Sequence, residues 1–167
     1  MKKLLLTVLV IPFLICFNGC TSQKEPPLID LDFEANANIE YNGNTFTAKI
    51  LNEEREQTVI TLNTPQELEG LTYTYKGSSL AIEYNKLKCE TKDGYLPNRS
   101  MAQMIHTLIE TLSDEENYSF EKFEKEDAVF SCKSGESTFK IITDEDGIIK
   151  DIKSQDGLLH IILATAE

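Results

Sequence analysis

The chain has 167 residues, a length typical of one domain. Its 28 acidic and 16 basic side chains leave a formal net charge of −12, which argues against a nucleic-acid partner, since that role needs a basic face to displace phosphate counterions. A hydrophobic fraction of 41% excludes a disordered chain.

The first segment reads as an address. Lys2 and Lys3 precede an uncharged apolar run from Leu4 to Phe17. That run is shorter than the roughly 20 residues of a spanning helix and suits the apolar core of a signal peptide. Phe17-Asn18-Gly19-Cys20-Thr21 follows and resembles a bacterial lipobox, in which a small residue precedes a cysteine that is acylated and becomes the new N-terminus. The resemblance implies a lipoprotein signal peptide over residues 1–19 and a lipid of the palmitate type on Cys20. It also implies a membrane partnership through that lipid, on the extracytoplasmic face of the bacterial cell membrane. Such a compartment is oxidising. With Cys16 removed and Cys20 acylated, Cys89 and Cys132 are the remaining thiols, and a disulfide between them is expected.

Residues 20–31 read as the lipidated cysteine and a flexible tether, with Pro26-Pro27 favouring extended backbone. The folded domain is expected over residues 32–167. From Phe33 to Tyr41 apolar residues occupy the odd positions and Glu or Asn the even ones, the period of a half-buried strand. Asn42-Gly43 supplies the left-handed residues of a two-residue hairpin turn. Such a turn pairs Tyr41 with Asn44, Ile39 with Phe46 and Ala37 with Ala48, which puts both apolar sets on one face. A third strand runs from Gln57 to Leu62. Thr64-Pro65-Gln66-Glu67 then predicts a short capped turn of helix, with Thr64 capping and Pro65 at the first helical position, ended by Gly70. Leu71 to Tyr75 and Leu80 to Tyr84 alternate as two further strands. The alternation slips at Asn85-Lys86, which predicts a bulge or an early strand end.

One helix is expected, over Met101 to Leu112. Met101, Met104, Ile105, Leu108, Ile109 and Leu112 recur at helical spacing, with Ser100 as N-cap and Gln103 completing a capping box. Its flanking connections, the first carrying Asp93-Gly94 and Pro97, predict a helix able to pivot as a movable plug. Five more strands follow: Tyr118 to Phe123, Ala128 to Lys133, Ser137 to Thr143, Ile148 to Lys153 and Leu158 to Ala164. The last is apolar on both faces, so both are expected to be covered. About nine or ten antiparallel strands and one helix make a mainly β (α+β) fold. A sheet that long curls, so the expectation is a curved half-barrel wrapped around the helix.

This order of elements resembles the lipoprotein-carrier superfamily of LolA, LolB and related bacterial lipoproteins. The opening Phe33–Tyr41 hairpin is similar to theirs, and Thr64-Pro65 through Gly70-Leu71-Thr72-Tyr73 resembles members of the Gram-positive sporulation and germination type. The resemblance implies an incomplete barrel whose concave side is plugged by helix. The soluble carriers use an arginine on an early strand, whereas Arg55 and Arg99 here lie in predicted loops, so no carrier residue is transferred.

The chemistry of enzymes is thinly represented. His106 and His160 lack the paired spacing of zinc ligands, and Asp144-Glu145-Asp146-Gly147 reads as a solvated hairpin turn rather than a calcium loop, so neither metal nor cofactor is expected. Ser119-Phe120-Glu121-Lys122 matches Ser-x-x-Lys but falls on a predicted strand, not at a helix start. No enzyme activity is expected. The candidate ligand groove is the apolar face formed by Ile39, Phe46, Ile60, Tyr73, Ile82, Met104, Leu108, Phe130 and Phe139, with Tyr73, Tyr75 and Tyr84 at its rim. Two functions follow. The first is an envelope lipoprotein that binds an apolar ligand or lipidated partner on its concave face. The second is a tethered module that positions or stabilises an envelope or spore-germination enzyme. An open groove favours the first and a filled one the second. The sequence says nothing of oligomeric state.

Overall fold

The computed structural model describes residues 24–54 and 56–165. Residues 1–23, which hold the signal segment and Cys20, lie outside the described residues, as does Arg55.

Among the described residues, eleven antiparallel strands form one open sheet around a single α-helix: β1 (Phe33–Tyr41), β2 (Asn44–Glu53), β3 (Gln57–Thr64), β4 (Thr72–Lys76), β5 (Ser79–Tyr84), β6 (Leu87–Lys92), helix α1 (Met101–Leu112), β7 (Tyr118–Glu124), β8 (Asp127–Ser134), β9 (Ser137–Thr143), β10 (Ile149–Ser154) and β11 (Leu159–Thr165). The spatial order is β6-β5-β4-β3-β2-β1-β11-β10-β9-β8-β7. Two meanders, β1 to β6 and β7 to β11, are thus joined by pairing of the first strand with the last. The edges are β6 and β7, the two strands that flank α1 in sequence. The chain therefore leaves one edge of the sheet and re-enters at the other, and α1 bridges the gap across the concave side. This is the curved half-barrel wrapped around a helix.

The Asn42-Gly43 turn has φ of 48° and 76°, and the hairpin pairs Tyr41 with Asn44, Ile39 with Phe46 and Ala37 with Ala48, as the alternation requires. Asn85 and Lys86 form a second such turn, with φ of 48° and 70°. Of the two expected alternatives the strand end is the one that occurs: β5 stops at Tyr84, and the full reversal that follows starts an additional strand, β6, paired with β5 from Tyr84↔Leu87 to Ser79↔Lys92. Lysine seldom takes a left-handed backbone, which is why this turn does not look like one in sequence.

Three further expectations are corrected. The 3-10 turn Gln66–Leu68 has Pro65, not Thr64, at its N-cap, because the Thr64 hydroxyl is engaged by Thr47, accepting from its backbone N–H at 2.9 Å. The core begins before the expected tether boundary at residue 31, with Ile29 and Leu31 buried and the Asp30 N–H donating to Gly147 O at 3.0 Å. On β11 only one face is covered fully: Ile161 is buried, whereas Ile162 is 47% exposed.

The core lies between α1 and the sheet. Ile39, Ile50, Ile60, Leu62, Leu80, Phe130, Phe139, Ile141 and Ile161 face Met104, Ile105, Leu108 and Leu112 in one buried cluster. Each of these larger side chains contributes about 1.5–3 kcal/mol of gross burial before its ordering cost.

Candidate functional site

The apolar face expected to form a groove divides into two parts. Ile39, Ile60, Met104, Leu108, Phe130 and Phe139 are buried, so under α1 the concavity is filled with side chains. Phe46, Tyr73 and Ile82 pack on the rim of that core and stay partly exposed. Register shows why. One row of facing residues runs Ile50, Ile60, Tyr73, Ile82, Cys89 across β2 to β6. Along it burial falls from complete at Ile60 to exposed at Cys89. The neighbouring Leu87 on β6 is 74% exposed. A half-open apolar flank therefore leads from the plugged core to the edge of the sheet.

The three rim tyrosines are placed differently from one another. Tyr75 is fully buried and donates to Gln103 Oε1 at 3.3 Å, and the Tyr84 hydroxyl donates to the Glu67 carbonyl at 2.6 Å. Burial raises the Tyr73 and Tyr75 phenols, and for Tyr75 the nearby Asp93 carboxylate adds to the effect.

Beside the apolar flank sits a polar one that the sequence pattern concealed. Gln103 and His106 lie off the apolar stripe of α1, yet both are 5% exposed. The capping box is not formed: Ser100 sits at the N-cap with extended backbone but makes no side-chain cap bond, and Gln103 turns inward, donating to Asp93 Oδ1 at 3.2 Å. His106 stacks on Tyr75, with ring centroids 3.9 Å apart and planes 15° from parallel. Its Nε2 lies 3.7 Å from Asp93 Oδ2 and 3.5 Å from Glu110 Oε1, and neither ring nitrogen has a hydrogen-bond partner. Burial holds this imidazole below its ordinary pKa against the pull of Glu110 and Asp93. A cavity of about 310 Å³ adjoins it, lined by Tyr75, His106 and Glu110 with Asn52, Gln57 and Thr58. In its wall Asn52 donates to Leu31 O at 2.5 Å and accepts from the Thr58 hydroxyl at 2.7 Å.

The helix is fastened at both ends. Before its start, the Tyr41 hydroxyl donates to Arg99 O at 2.6 Å and the Arg99 guanidinium meets Asp156 at 2.9 Å. At its last turn the Thr111 and Ser134 hydroxyls are 2.9 Å apart. The start of α1 is thus tied down where a pivot was expected.

The disulfide expectation is corrected. Cys89 is exposed on edge strand β6, Cys132 is buried on β8 near the opposite edge, and both are free. Burial raises the Cys132 thiol to about 11. The remaining motifs resolve into ordinary structure. Asp144 Oδ1 accepts from the backbone N–H groups of Asp146 and Ile148, each at 3.0 Å, which shapes the β9–β10 turn. Lys122 is held by Glu124 at 2.9 Å and its pKa is raised by that pairing, the opposite of what a Ser-x-x-Lys base requires. Among the described residues no helix is long and apolar enough to cross a membrane.

No family model matches the chain, and no curated protein matches it. Among solved structures it is similar to an uncharacterized conserved protein from Thermus thermophilus, with a TM-score of 0.50 and 8% identity over 82% of each chain. A LolA superfamily protein from Nitrosomonas europaea aligns over 79% of this chain and 69% of its own, at 9% identity and a TM-score of 0.36. The second likeness is too distant to carry an argument, and the first speaks to the fold alone: a long antiparallel sheet curved around a helix.

Proposed function

We propose that this chain is a lipid-anchored protein of the bacterial cell envelope, of the half-barrel carrier type, that holds an apolar ligand or the acyl chain of a lipidated partner against the concave flank of β2 to β6. It acts by binding rather than by catalysis. The observation that carries this reading is the row Ile60, Tyr73, Ile82, Cys89, where an otherwise sealed apolar face opens gradually toward the sheet edge. Apolar side chains left in water on one continuous face favour an apolar partner. Leu87 extends that face by one more strand position.

The anchoring half of the proposal rests on the lipobox-like Gly19-Cys20 behind a short apolar run. Cys20→Ala is expected to abolish incorporation of acyl label, and continued labelling removes this half. The binding half is tested with a fluorescent fatty acid titrated into residues 21–167. Saturable binding that weakens in Tyr73→Asp and Ile82→Asp, with circular dichroism unchanged, supports the carrier reading.

A second reading has its own observation. Six of the nine candidate groove residues are buried beneath a helix fastened at both ends. That filling favours a membrane-tethered interaction module that positions or stabilises an envelope enzyme. Absence of fatty-acid binding up to the solubility limit of the probe places this reading ahead.

A further inference from the structure

We propose that Asp93, His106 and Glu110 form a binding site for one divalent transition-metal cation of the zinc class. The donor atoms are Asp93 Oδ2, His106 Nε2 and Glu110 Oε1, which lie within 4.8 Å of one another. Ligands about 2.1 Å from a tetrahedral zinc sit about 3.4 Å apart. The His106 Nε2 separations of 3.5 Å to Glu110 and 3.7 Å to Asp93 already approach that spacing.

Three observations point to a ligand rather than to an incidental cluster. First, His106 is 5% exposed and neither ring nitrogen finds a partner, and such an orphaned polar group inside a protein calls for an explanation. Its Nε2 faces two carboxylates at distances beyond hydrogen bonding yet suited to a shared cation. Second, Asp93 is already oriented. Its Oδ1 accepts from Gly94 N at 2.7 Å and from Gln103 Nε2 at 3.2 Å, and its backbone N–H donates to Ser78 O at 3.0 Å. This leaves Oδ2 as the oxygen that faces the imidazole. Tyr75 completes an outer shell by donating to Gln103 and stacking on the His106 ring. Outer partners of this kind fix the direction of metal ligands. Third, the cavity of about 310 Å³ reaches His106 and Glu110, which gives a cation a path from solvent and leaves room for a water as a further ligand.

The donor set selects the class of metal. One imidazole and two carboxylates balance a divalent charge, and a nitrogen donor favours zinc-like ions over calcium, which takes oxygen ligands. Asp93 follows the end of edge strand β6, whereas His106 and Glu110 belong to α1. A bound cation clasps the middle of the helix to the sheet edge and adds a third fastening to the two at its ends. The site stands independently of any apolar ligand.

The test uses the full chain in detergent, stripped with a chelator and titrated calorimetrically with zinc ion alone. The expected result is one equivalent bound. Asp93→Asn and Glu110→Gln keep the side-chain shapes, and Glu110 is exposed at the surface, so both variants are expected to fold. Each is expected to weaken binding by roughly tenfold or more, and Gln103→Ala by about 10–100-fold through loss of the outer shell. Zinc is also expected to shift the imidazole nitrogen resonances of His106 and to leave those of His160 in place. Zinc binding unchanged in both carboxylate variants, equal affinity for calcium, or no zinc binding at millimolar concentration overturns the proposal.

Discussion

The Tyr41 hydroxyl donates to the backbone carbonyl of Arg99 at 2.6 Å, so the end of β1 holds the segment that leads into α1. Arg99 extends the link by pairing with Asp156 at 2.9 Å. The Asp156 carboxylate also accepts from Leu158 N at 3.0 Å and from the Ser137 hydroxyl at 3.2 Å. One acidic group in the β10–β11 turn therefore ties together the helix start and β9.

These bonds, the Leu158 N–H first, hold the Asp156 carboxyl down to about 2, below its ordinary value. A folded-state pKa below the unfolded one stabilises the protein above about pH 4, and the contribution disappears as pH falls toward about 2. Urea unfolding at stepped pH is expected to show stability falling across that window. In Asp156→Asn the fall is expected to be shallower, and an unchanged slope assigns the acid sensitivity to other carboxylates.

Leu108 is 1% exposed and sits in the centre of the α1 interface. Leu108→Ala is expected to destabilise the fold by about 2–5 kcal/mol, through lost burial and the cavity left behind. Leu87→Ala, at a side chain 74% exposed, is expected to change stability by no more than about 0.5 kcal/mol. Parallel denaturant titrations with unchanged slopes make the comparison.

Ser100 occupies the N-cap of α1, but its hydroxyl is buried with no hydrogen-bond partner. Removing a working serine cap costs about 1 kcal/mol. Here no such bond exists to lose, so Ser100→Ala is expected to leave the thermal midpoint unchanged or to raise it. A drop of the size seen at ordinary caps refutes the geometry.

The two thiols are expected to react at very different rates. Cys89 is exposed, whereas Cys132 is buried and its thiol is pushed up to about 11. An alkylating reagent at neutral pH is expected to modify Cys89 promptly and Cys132 only after unfolding, because the thiolate is the nucleophile. Mass spectrometry without reductant reads both sites, and a mass two hydrogen atoms lower than the dithiol restores the bridge.

Much of this fold is visible in the periodicity of the sequence, because its strongest signals are local. Asn42-Gly43 sets the β1–β2 register residue by residue, and the stripe from Met101 to Leu112 marks both ends of α1. What escapes is whatever depends on a distant partner or an uncommon backbone. Lys86 takes a left-handed conformation without the glycine that announces one, so β6 is hidden. Gln103 and His106 look like solvent-facing helix residues, since nothing nearby in sequence reveals that Tyr75 and Asp93 receive them. Glu110, four residues after His106, is the one part of that cluster that helical spacing announces. The apolar groove reads as a single surface in sequence, and only the path of α1 across the sheet separates its sealed part from its open part.

Pairing β1 with β11 places the beginning and end of the domain side by side at the middle of the sheet, as in Ile39↔Ile161 and Tyr41↔Leu159. These partners lie more than a hundred residues apart in sequence, so the contact that joins the two meanders is among the slowest to form. Without that contact β1 and β11 are each an unpaired edge that a second molecule is able to capture. Loss of β11 alone leaves no central seam, which makes this seven-residue strand the one that closes the sheet.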